Sequence, residues 1–278
     1  MSSHPTLAFI GGGNMASAIL GGLIASGTPA QHLVVVEPFE AQRLVLTEKF
    51  GVQTFASAEA ASTALTQATM VVWAVKPQSF AEAAAPCAAW VHQAVQVSVM
   101  AGIRSDAIAR ATGSDRVVRA MPNTPALIGE GIAGLFARAS VSSTERQQVE
   151  ALLAPTGALL WVAQESDLDA VTALSGSGPA YIFYFIEAMM TAAERMGLSA
   201  EQGKALALAT FSGATELARR SDESPAVLRE RVTSKGGTTY AALSAMNTAH
   251  VDTAFIDAMQ AARQRASELG DQFGSAGR

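Results

Sequence analysis

Short, continuous hydrophobic runs alternate with alanine-rich segments from Thr6 to about Trp161. Runs of this length, rich in valine, leucine and isoleucine, are typical of strands buried on both faces, and the segments between them have helical character. The predicted strands are Leu7–Ile10, Leu33–Val36, Met70–Val75 and Val95–Val99, with Arg116–Ala120 and Ile132–Ala137 extending the same sheet. The predicted helices are Asn14–Ser26, Glu40–Phe50, Ala58–Leu65 and Pro77–Val91. This order predicts a parallel α/β sheet.

After about Val162 the pattern changes to long segments rich in alanine, methionine and leucine, which predict an all-α bundle. The predicted helices are Asp167–Leu174, Pro179–Met196, Ala200–Arg220, Pro225–Val232, Thr239–Met246 and Asp252–Leu269. A chain of 278 residues exceeds the ~100–200 residues usual for one domain. We therefore expect an α/β domain over residues 1–162 and a helical domain over residues 163–278; one large domain is the alternative.

The segment from Thr191 to Arg220 carries few charges for helices that are solvated on most sides. Such helices are expected to pack against a surface beyond one small domain, which predicts a homodimer through the helical half. A compact monomeric bundle is the alternative.

Composition excludes several classes of function. A net charge of −5 gives no general reason to bind nucleic acid or an anionic membrane. Cys87 is the only cysteine, so an intrachain disulfide and a multi-cysteine metal site are excluded, and we expect a packed thiol and no metal. The first residues lack the basic region of a signal peptide, and no apolar stretch approaches the ~20 residues of a membrane span. We expect a soluble, cytoplasmic protein.

The first predicted strand leads directly into a glycine motif. Gly11, Gly13 and Ala16 match G-x-G-x-x-A, with Asn14 and Met15 opening the next helix. In this pattern the first glycine permits a tight turn, the second lets a diphosphate approach the backbone, and the helix N-terminus holds the phosphates. Placed inside a strand–helix–strand unit, the motif predicts a Rossmann-like dinucleotide-binding domain.

Glu37 ends the second predicted strand, where such domains place an acid that binds the ribose 2′-hydroxyl and repels a 2′-phosphate. This position favours NADH over NADPH, although Arg43 lies near enough to serve a phosphate. A solvated acid at a strand end is the alternative interpretation.

The turn after the strand that ends near Val75 should face the same cofactor, because ligands collect at the carboxyl ends of parallel strands. The predicted cofactor contacts there are Ala74, Val75, Lys76 and Pro77. For Lys76, an exposed loop lysine is the alternative.

Three more motifs complete a resemblance that covers nearly the whole chain. They are Arg119-Ala-Met-Pro-Asn-Thr-Pro-Ala126, Ala173-Leu-Ser-Gly-Ser-Gly-Pro-Ala-Tyr181 and Val232-Thr-Ser-Lys-Gly-Gly-Thr-Thr239. With the glycine motif and Ala74–Pro77 they occur in the order found in pyrroline-5-carboxylate reductases, which this chain resembles. On their own, the second motif would pass for helix capping and the third for a glycine-rich turn.

The resemblance implies hydride transfer from NADPH or NADH to the imine carbon of pyrroline-5-carboxylate, which gives proline. It places the turn Met121, Pro122 and Asn123 beside the nicotinamide, and it makes Thr239 the catalytic residue that faces the ring nitrogen. The substrate-binding residues that it implies are Ser177, Ser234, Gly236, Gly237, Thr238 and Thr239. It also implies a homodimer through the C-terminal helices, in some members assembled into a ring of dimers. Lys235 is a departure, because the family usually has proline there.

Two rival functions remain open. A β-hydroxyacid dehydrogenase shares the same plan but needs a catalytic lysine on a helix of the second domain, and Lys204 is the sole helical candidate. A protein that binds dinucleotide and signals redox state, without catalysis, is the second rival. None of the four histidines lies in a motif, so a histidine acid–base mechanism has no candidate.

Overall fold

A computed structural model describes residues 5–275. Its strands are β1 (Thr6–Ile10), β2 (Leu33–Val36), β3 (Gln53–Phe55), β4 (Ala68–Trp73), β5 (Val95–Ser98), β6 (Val117–Met121), β7 (Gly131–Ala137) and β8 (Gly157–Trp161). Its helices are α1 (Asn14–Ala25), α2 (Glu40–Phe50), α3 (Ser62–Gln67), α4 (Phe80–Ala84), α5 (Ala88–Val91), α6 (Ser105–Thr112), α7 (Ser143–Leu153), α8 (Asp167–Val171), α9 (Gly178–Arg195), α10 (Ala200–Arg220), α11 (Pro225–Arg231), α12 (Thr238–Thr248) and α13 (Val251–Ser275). Short 3-10 turns and a π-helical turn, Thr172–Gly176, lie between them.

The eight strands form one sheet in the order β3-β2-β1-β4-β5-β6-β7-β8. Strand β1 pairs in parallel with β2 on one side and with β4 on the other, so the chain changes direction across the sheet at β1. Ligands of open α/β sheets bind at such a switch point, beyond the carboxyl ends of the strands. The predicted fold class, a Rossmann-like domain followed by helices, is confirmed.

The hydrophobic runs are buried because helices cover the sheet on both faces. Phe9 and Val72 belong to one apolar cluster, whereas Val71 and Trp73 belong to the other, as expected for alternate residues of a strand. The Trp73 indole N–H donates to Oε1 of the buried Gln96 at 2.9 Å, so this polar atom is satisfied inside the core.

Some element predictions are wrong. The segment from Pro77 to Val91 is not one helix but a 3-10 turn followed by α4 and α5, because Pro86 lies between the two helices and has no N–H for a helical hydrogen bond. The sheet is not fully parallel either, since β7 runs antiparallel to β6.

The chain packs as two compact units. Residues 5–177 and 262–275 form the first unit, and Gly178–Ala261 form the second. The end of α13 belongs to the first unit because the Phe273 ring contacts Gly102 and Asp271 pairs with Arg104 at 2.8 Å. The expected domains, 1–162 and 163–278, stay a prediction.

In the second unit, α9 and α10 pack closely through small residues. A Cβ atom at Gly203 would lie 2.9 Å from the Cβ of Ala193, and both Ala193 and Ala207 are buried. Tyr181 and Phe185 each pack against the ring of Phe255. No described helix is long and apolar enough to cross a bilayer.

Candidate active site

The glycine loop after β1 is held in a conformation that needs glycine. Gly11 has a φ of 94°, and its N–H donates to the carbonyl of Val36 at 2.9 Å. A Cβ atom there would lie 2.8 Å from the carbonyl oxygen of Ala74 and 2.9 Å from Cγ1 of Val75. The loop after β1 and the turn after β4 therefore touch at the carboxyl edge of the sheet.

The N-terminus of α1 is open to an anion. Gly13 is the N-cap residue, no side chain caps the helix, and a Cβ atom at Gly13 would meet no atom within 4 Å. The backbone N–H groups of the first turn, which begins with Asn14 and Met15, keep their hydrogen-bonding capacity and the positive end of the helix dipole. Ala16 is fully buried behind them. This geometry fits the diphosphate of a dinucleotide.

Glu37 is buried, with 7% of the residue exposed, so the interpretation as a solvated acid is wrong. Its carboxylate accepts hydrogen bonds from the N–H of Gly12 at 2.9 Å and from the N–H of Phe39 at 3.0 Å. The side-chain amide of Gln42 donates to the carbonyl of Gly12, so α2 also holds the glycine loop. A fixed negative charge thus lies at the end of β2, next to the loop.

Arg43 donates from one guanidinium nitrogen to two carbonyls, those of Glu37 at 2.9 Å and Pro38 at 2.7 Å. Its charge is therefore drawn to the backbone of the β2–α2 turn. Gln42 and Arg43 fix the shape of this turn, and only Arg43 was singled out from the sequence.

The turn after β4 follows the predicted path. The N–H of Ala74 donates to the carbonyl of Ile10 at 2.8 Å, and Pro77 opens a 3-10 turn in which the N–H of Ser79 donates to the carbonyl of Lys76. The Lys76 side chain is exposed and forms no ion pair in the described part of the chain. Its ammonium group is free to meet a phosphate or carboxylate.

The turn after β6 is closed by its own asparagine. Asn123 Oδ1 accepts a hydrogen bond from the N–H of Ile132 at 3.0 Å, which ties the Met121-Pro122-Asn123 turn to β7. The side-chain oxygen is therefore committed to the protein, and the side-chain NH₂ is the group of Asn123 with donors to offer a ligand.

An ion pair between a buried arginine and a half-buried glutamate precedes the same turn. Arg119 Nη1 pairs with Glu165 Oε1 at 2.9 Å, and the Arg119 side chain is only 5% exposed. Glu165 also accepts from the N–H and the hydroxyl of Ser105, each at 2.6 Å. Burial raises the pKa of Glu165, but the Ser105 hydrogen bonds and the Arg119 charge outweigh it and hold that pKa below its usual range. Glu165 was not singled out from the sequence, where one acid after a strand carries no distinctive signal.

Ser177 ends the π-helical turn, and its N–H donates to the carbonyl of Thr172 at 2.8 Å. A Cβ atom at Gly176 would lie 2.8 Å from Cε of Met121, so this turn packs directly on the methionine of the β6 turn. π-Helical turns occur frequently at functional sites. The structure therefore brings together the motif around Ser177 and the motif around Met121.

In the second unit, the loop before α12 forms a tight turn at an open helix N-terminus. The N–H of Gly237 donates to the carbonyl of Ser234 at 3.0 Å, and Gly236 has a φ of 78°. Gly237 is the N-cap residue of α12 and no side chain caps the helix, so the N–H groups at Thr238 and Thr239 are available to an anion. A Cβ atom at Gly237 would lie 2.6 Å from Oγ of Ser234.

The predicted site residues thus form two groups. The cofactor group lies just after the carboxyl ends of β1, β2, β4 and β6, in the first unit. Ser177, which is predicted to bind substrate, belongs to the same unit. The substrate group, Ser234 to Thr239, is one continuous loop of the second unit.

Cys87 takes no part in either group. It is buried and its Sγ contacts the carbonyl of Ala83 at 3.2 Å. Burial raises the pKa of this thiol to about 11, which keeps it protonated and unreactive near neutral pH. The described residues contain no cluster of side chains that could hold a metal ion.

Known proteins resemble this chain over nearly its full length. The family described as pyrroline-5-carboxylate reductase dimerisation matches residues 165–269, and the family described as NADP oxidoreductase coenzyme F420-dependent matches residues 6–102. The pyrroline-5-carboxylate reductase of Pseudomonas aeruginosa is 42% identical over 98% of this chain and 99% of its own length. That of Haemophilus influenzae is 39% identical over 97% of this chain and 99% of its own length.

Solved structures agree with these relatives. A pyrroline-5-carboxylate reductase from Coxiella burnetii has a TM-score of 0.88 and 35% identity, covering 96% of this chain and 99% of that one. The pyrroline carboxylate reductase of Plasmodium falciparum, solved with NADP bound, has a TM-score of 0.85 and 27% identity, covering 96% and 98%.

Proposed function

The chain belongs to the pyrroline-5-carboxylate reductase family, and from this premise we propose that it reduces 1-pyrroline-5-carboxylate to L-proline, the last step of proline biosynthesis. The observation that carries the proposal is the uncapped helix N-terminus at Gly237–Thr239, a ready site for a small carboxylate, in a chain that also has an open glycine loop for a dinucleotide. When bound, NADH or NADPH supplies the hydride.

On the cofactor side, the open first turn of α1 at Asn14 and Met15 receives the diphosphate, with Gly11 and Gly13 keeping the loop free of side chains. Ala74, Val75, Lys76 and Pro77 line the neighbouring turn. Met121, Pro122 and the NH₂ of Asn123 meet the nicotinamide end. These assignments are supported by the position of all three segments at the carboxyl edge of the sheet, after β1, β4 and β6.

On the substrate side, the N–H groups at Thr238 and Thr239 hold the carboxylate, in the loop shaped by Ser234, Gly236 and Gly237. Ser177, in the first unit, is a further proposed substrate-binding residue. The Thr239 hydroxyl faces the ring nitrogen. It orients the protonated imine, so that hydride adds to the carbon and the proton stays on nitrogen, which gives the secondary amine of proline. Fixing both ends of the substrate makes a bimolecular transfer effectively intramolecular, and this positioning is the main source of rate acceleration.

Glu37 makes NADH at least as good a reductant as NADPH. Its buried charge repels a 2′-phosphate, and the Arg43 guanidinium is drawn to backbone carbonyls. The Glu37→Gln variant keeps an oxygen acceptor for Gly12 and removes the charge, so we expect its kcat/KM ratio to shift toward NADPH by about tenfold or more. Glu40→Gln, which neutralises an exposed acid nearby, is the matched control. An unchanged ratio in Glu37→Gln would remove Glu37 from this role.

We also propose that the chain forms a homodimer through its C-terminal helices, with a ring of dimers as a further stage of assembly, and that it works in the cytoplasm. The match of residues 165–269 to a dimerisation family supports the dimer. So do the exposed apolar side chains on α9 and α10, among them Phe183, Tyr184 and Leu206.

One assay separates the proposed activity from its rivals. Purified protein is mixed with NADH and pyrroline-5-carboxylate, and loss of the reduced-cofactor absorbance is followed together with formation of proline. A β-hydroxyacid dehydrogenase would instead reduce NAD with hydroxyacids, and a redox-signalling protein would bind cofactor with no turnover. Absence of imine-dependent oxidation of both NADH and NADPH would reject the proposal.

A further inference from the structure

Arg119 and Met121 lie two residues apart in β6, so their side chains project to the same face of the sheet. Both contact the segment that leads from β8 to Ser177. Arg119 pairs with Glu165 at the start of this segment, and Met121 packs on Gly176 near its end. The segment 165–177 therefore contacts β6 at two points, one near each of its ends.

A third contact lies between these points, on the neighbouring strand. Gly134 of β7 pairs with Met121 across the antiparallel ladder, and a Cβ atom at Gly134 would lie 2.7 Å from Cγ1 of Val171. No space separates α8 from the sheet at this point. Because packed interiors transmit small displacements, a shift at Glu165 would reach the π-helical turn.

We infer that Arg119 and Glu165 are positioning residues for the reduction: their ion pair sets where the π-helical turn and Ser177 lie beside Met121. The inference rests on the proposed function, in which Met121 meets the nicotinamide and Ser177 is one of the substrate-binding residues. Neither Arg119 nor Glu165 is required to touch a ligand, and both act through the segment 165–177.

The bonding at Glu165 explains how one residue sets this position. The carboxylate accepts from Arg119 on β6 and from the N–H and hydroxyl of Ser105 at the first turn of α6. Charge-assisted hydrogen bonds are directional and strong when they are shielded from water. Glu165 therefore joins three separate parts of the chain: the middle of β6, the start of α6 and the segment 165–177.

The test compares Glu165→Gln with a matched variant, Glu145→Gln. Glu145 also pairs with an arginine, Arg116 at 2.9 Å, and also caps a helix through Ser142, but it lies in α7, away from the segment 165–177. Both variants lose one charge from an arginine pair and one acceptor at a helix N-terminus. Any general effect of lost stability should appear in both.

For Glu165→Gln we expect kcat for imine reduction to fall by about tenfold or more, with the dissociation constant of NADH within about twofold of wild type. The isotope effect on kcat with NADH deuterated at the transferred position should rise, because misplacement slows hydride transfer and not product release. Glu145→Gln should keep wild-type kcat. A wild-type kcat in Glu165→Gln, or an equal fall in both variants, would overturn the inference.

If Glu165→Gln does not fold, Ser105→Ala provides the same test. It removes one of the two Ser105 hydrogen bonds that orient the Glu165 carboxylate toward Arg119, so the ion pair is held less firmly and we expect kcat to fall by about two- to fivefold with little change in melting temperature. Unchanged kcat in this variant would reject the positioning role. A wild-type enzyme that never oxidises NADH or NADPH with the imine would reject the proposed function instead, so the two failures are distinguishable.

Discussion

Thr239 carries the sharpest prediction at the scale of single residues. The Thr239→Ala variant should lose about tenfold or more in kcat/KM for the imine, because a polar contact to the ring nitrogen worth ~1–3 kcal/mol is removed. Thr248→Ala, at the other end of α12, removes a hydroxyl that bonds the carbonyl of Ser244 and serves as the control. Steady-state kinetics measure the activity of both variants, and circular dichroism measures their folding. An unchanged kcat/KM in Thr239→Ala would mean that another group contacts the ring nitrogen.

Lys235 occupies the second position of the Ser234–Gly237 turn. The left-handed φ of Gly236 at the third position fits a type II turn, and such turns favour proline at the second position. Lys235→Pro should therefore raise the free energy of unfolding by about 0.4–1 kcal/mol, because the unfolded chain loses freedom. Denaturant titration measures this change in stability. A second variant, Lys235→Met, removes the charge without adding proline, so its KM for the imine shows the effect of the charge alone. A destabilised Lys235→Pro variant would show that the turn has another geometry.

Residue identities predicted the glycine loop and the location of Glu37, but not how buried that acid is. The hydrogen bonds from Gly12 and Phe39 to its carboxylate depend on the path of the glycine loop across the sheet edge, which no local pattern encodes. The bond between Asn123 and Ile132 was missed for the same reason, since it needs the antiparallel course of β7.

Strand β8 pairs with β7 over five residues, and the first pair consists of two glycines that face each other, Gly131 and Gly157. Gly157 has a φ of 132°, and a Cβ atom there would lie 2.0 Å from the carbonyl oxygen of Gly131. Gly157→Ala should therefore cost roughly 2–4 kcal/mol, since backbone atoms have to move. Gly27→Ala is the control, because Gly27 also has a positive φ but no atom within 4 Å of an added Cβ, so only the ~1–2 kcal/mol of backbone strain applies.

Thermal and denaturant unfolding of the two variants measure this difference. Equal losses in the free energy of unfolding of Gly157→Ala and Gly27→Ala would mean that β8 can move to accept the added Cβ without further destabilisation.

At the scale of elements, the long apolar strands and long helices were predicted because their periodicity is strong. Strand β3 has three residues and β8 has alternating partial exposure, so neither shows the continuous run that marks a buried strand. Helix α7 begins at a Ser142–Glu145 capping box, a local signal that is visible in the sequence.

For the whole molecule, the prediction concerns assembly. Wild-type protein should have a solution mass about twice 28.7 kDa or a larger even multiple, measured by light scattering. Phe183→Glu should shift it toward the monomer, because Phe183 on α9 is 59% exposed in the single chain. Leu44→Glu, at an apolar residue of α2 that is 56% exposed, should not. A wild-type mass of one chain at all concentrations would contradict the prediction.

The boundary between the two compact units is less evident from the sequence than the fold class is. A change of sequence texture near Val162 marks where strands give way to helices, yet residues 163–177 and the end of α13 pack with the first unit. The contacts responsible, such as Arg119 with Glu165 and Gly102 with Phe273, join residues far apart in sequence. Sequence patterns therefore predicted the glycine loop and the loop before α12, whereas the packing of the segment 165–177 depends on contacts that no local pattern encodes.

The burial of Cys87 has a practical consequence for spectroscopy. A shielded thiol that stays protonated does not compete for maleimide dyes or spin labels, so a cysteine introduced at an exposed position becomes the single labelling point without a cysteine-free background. With one such cysteine in each compact unit, the distance between the two labels can be followed while cofactor and imine are added.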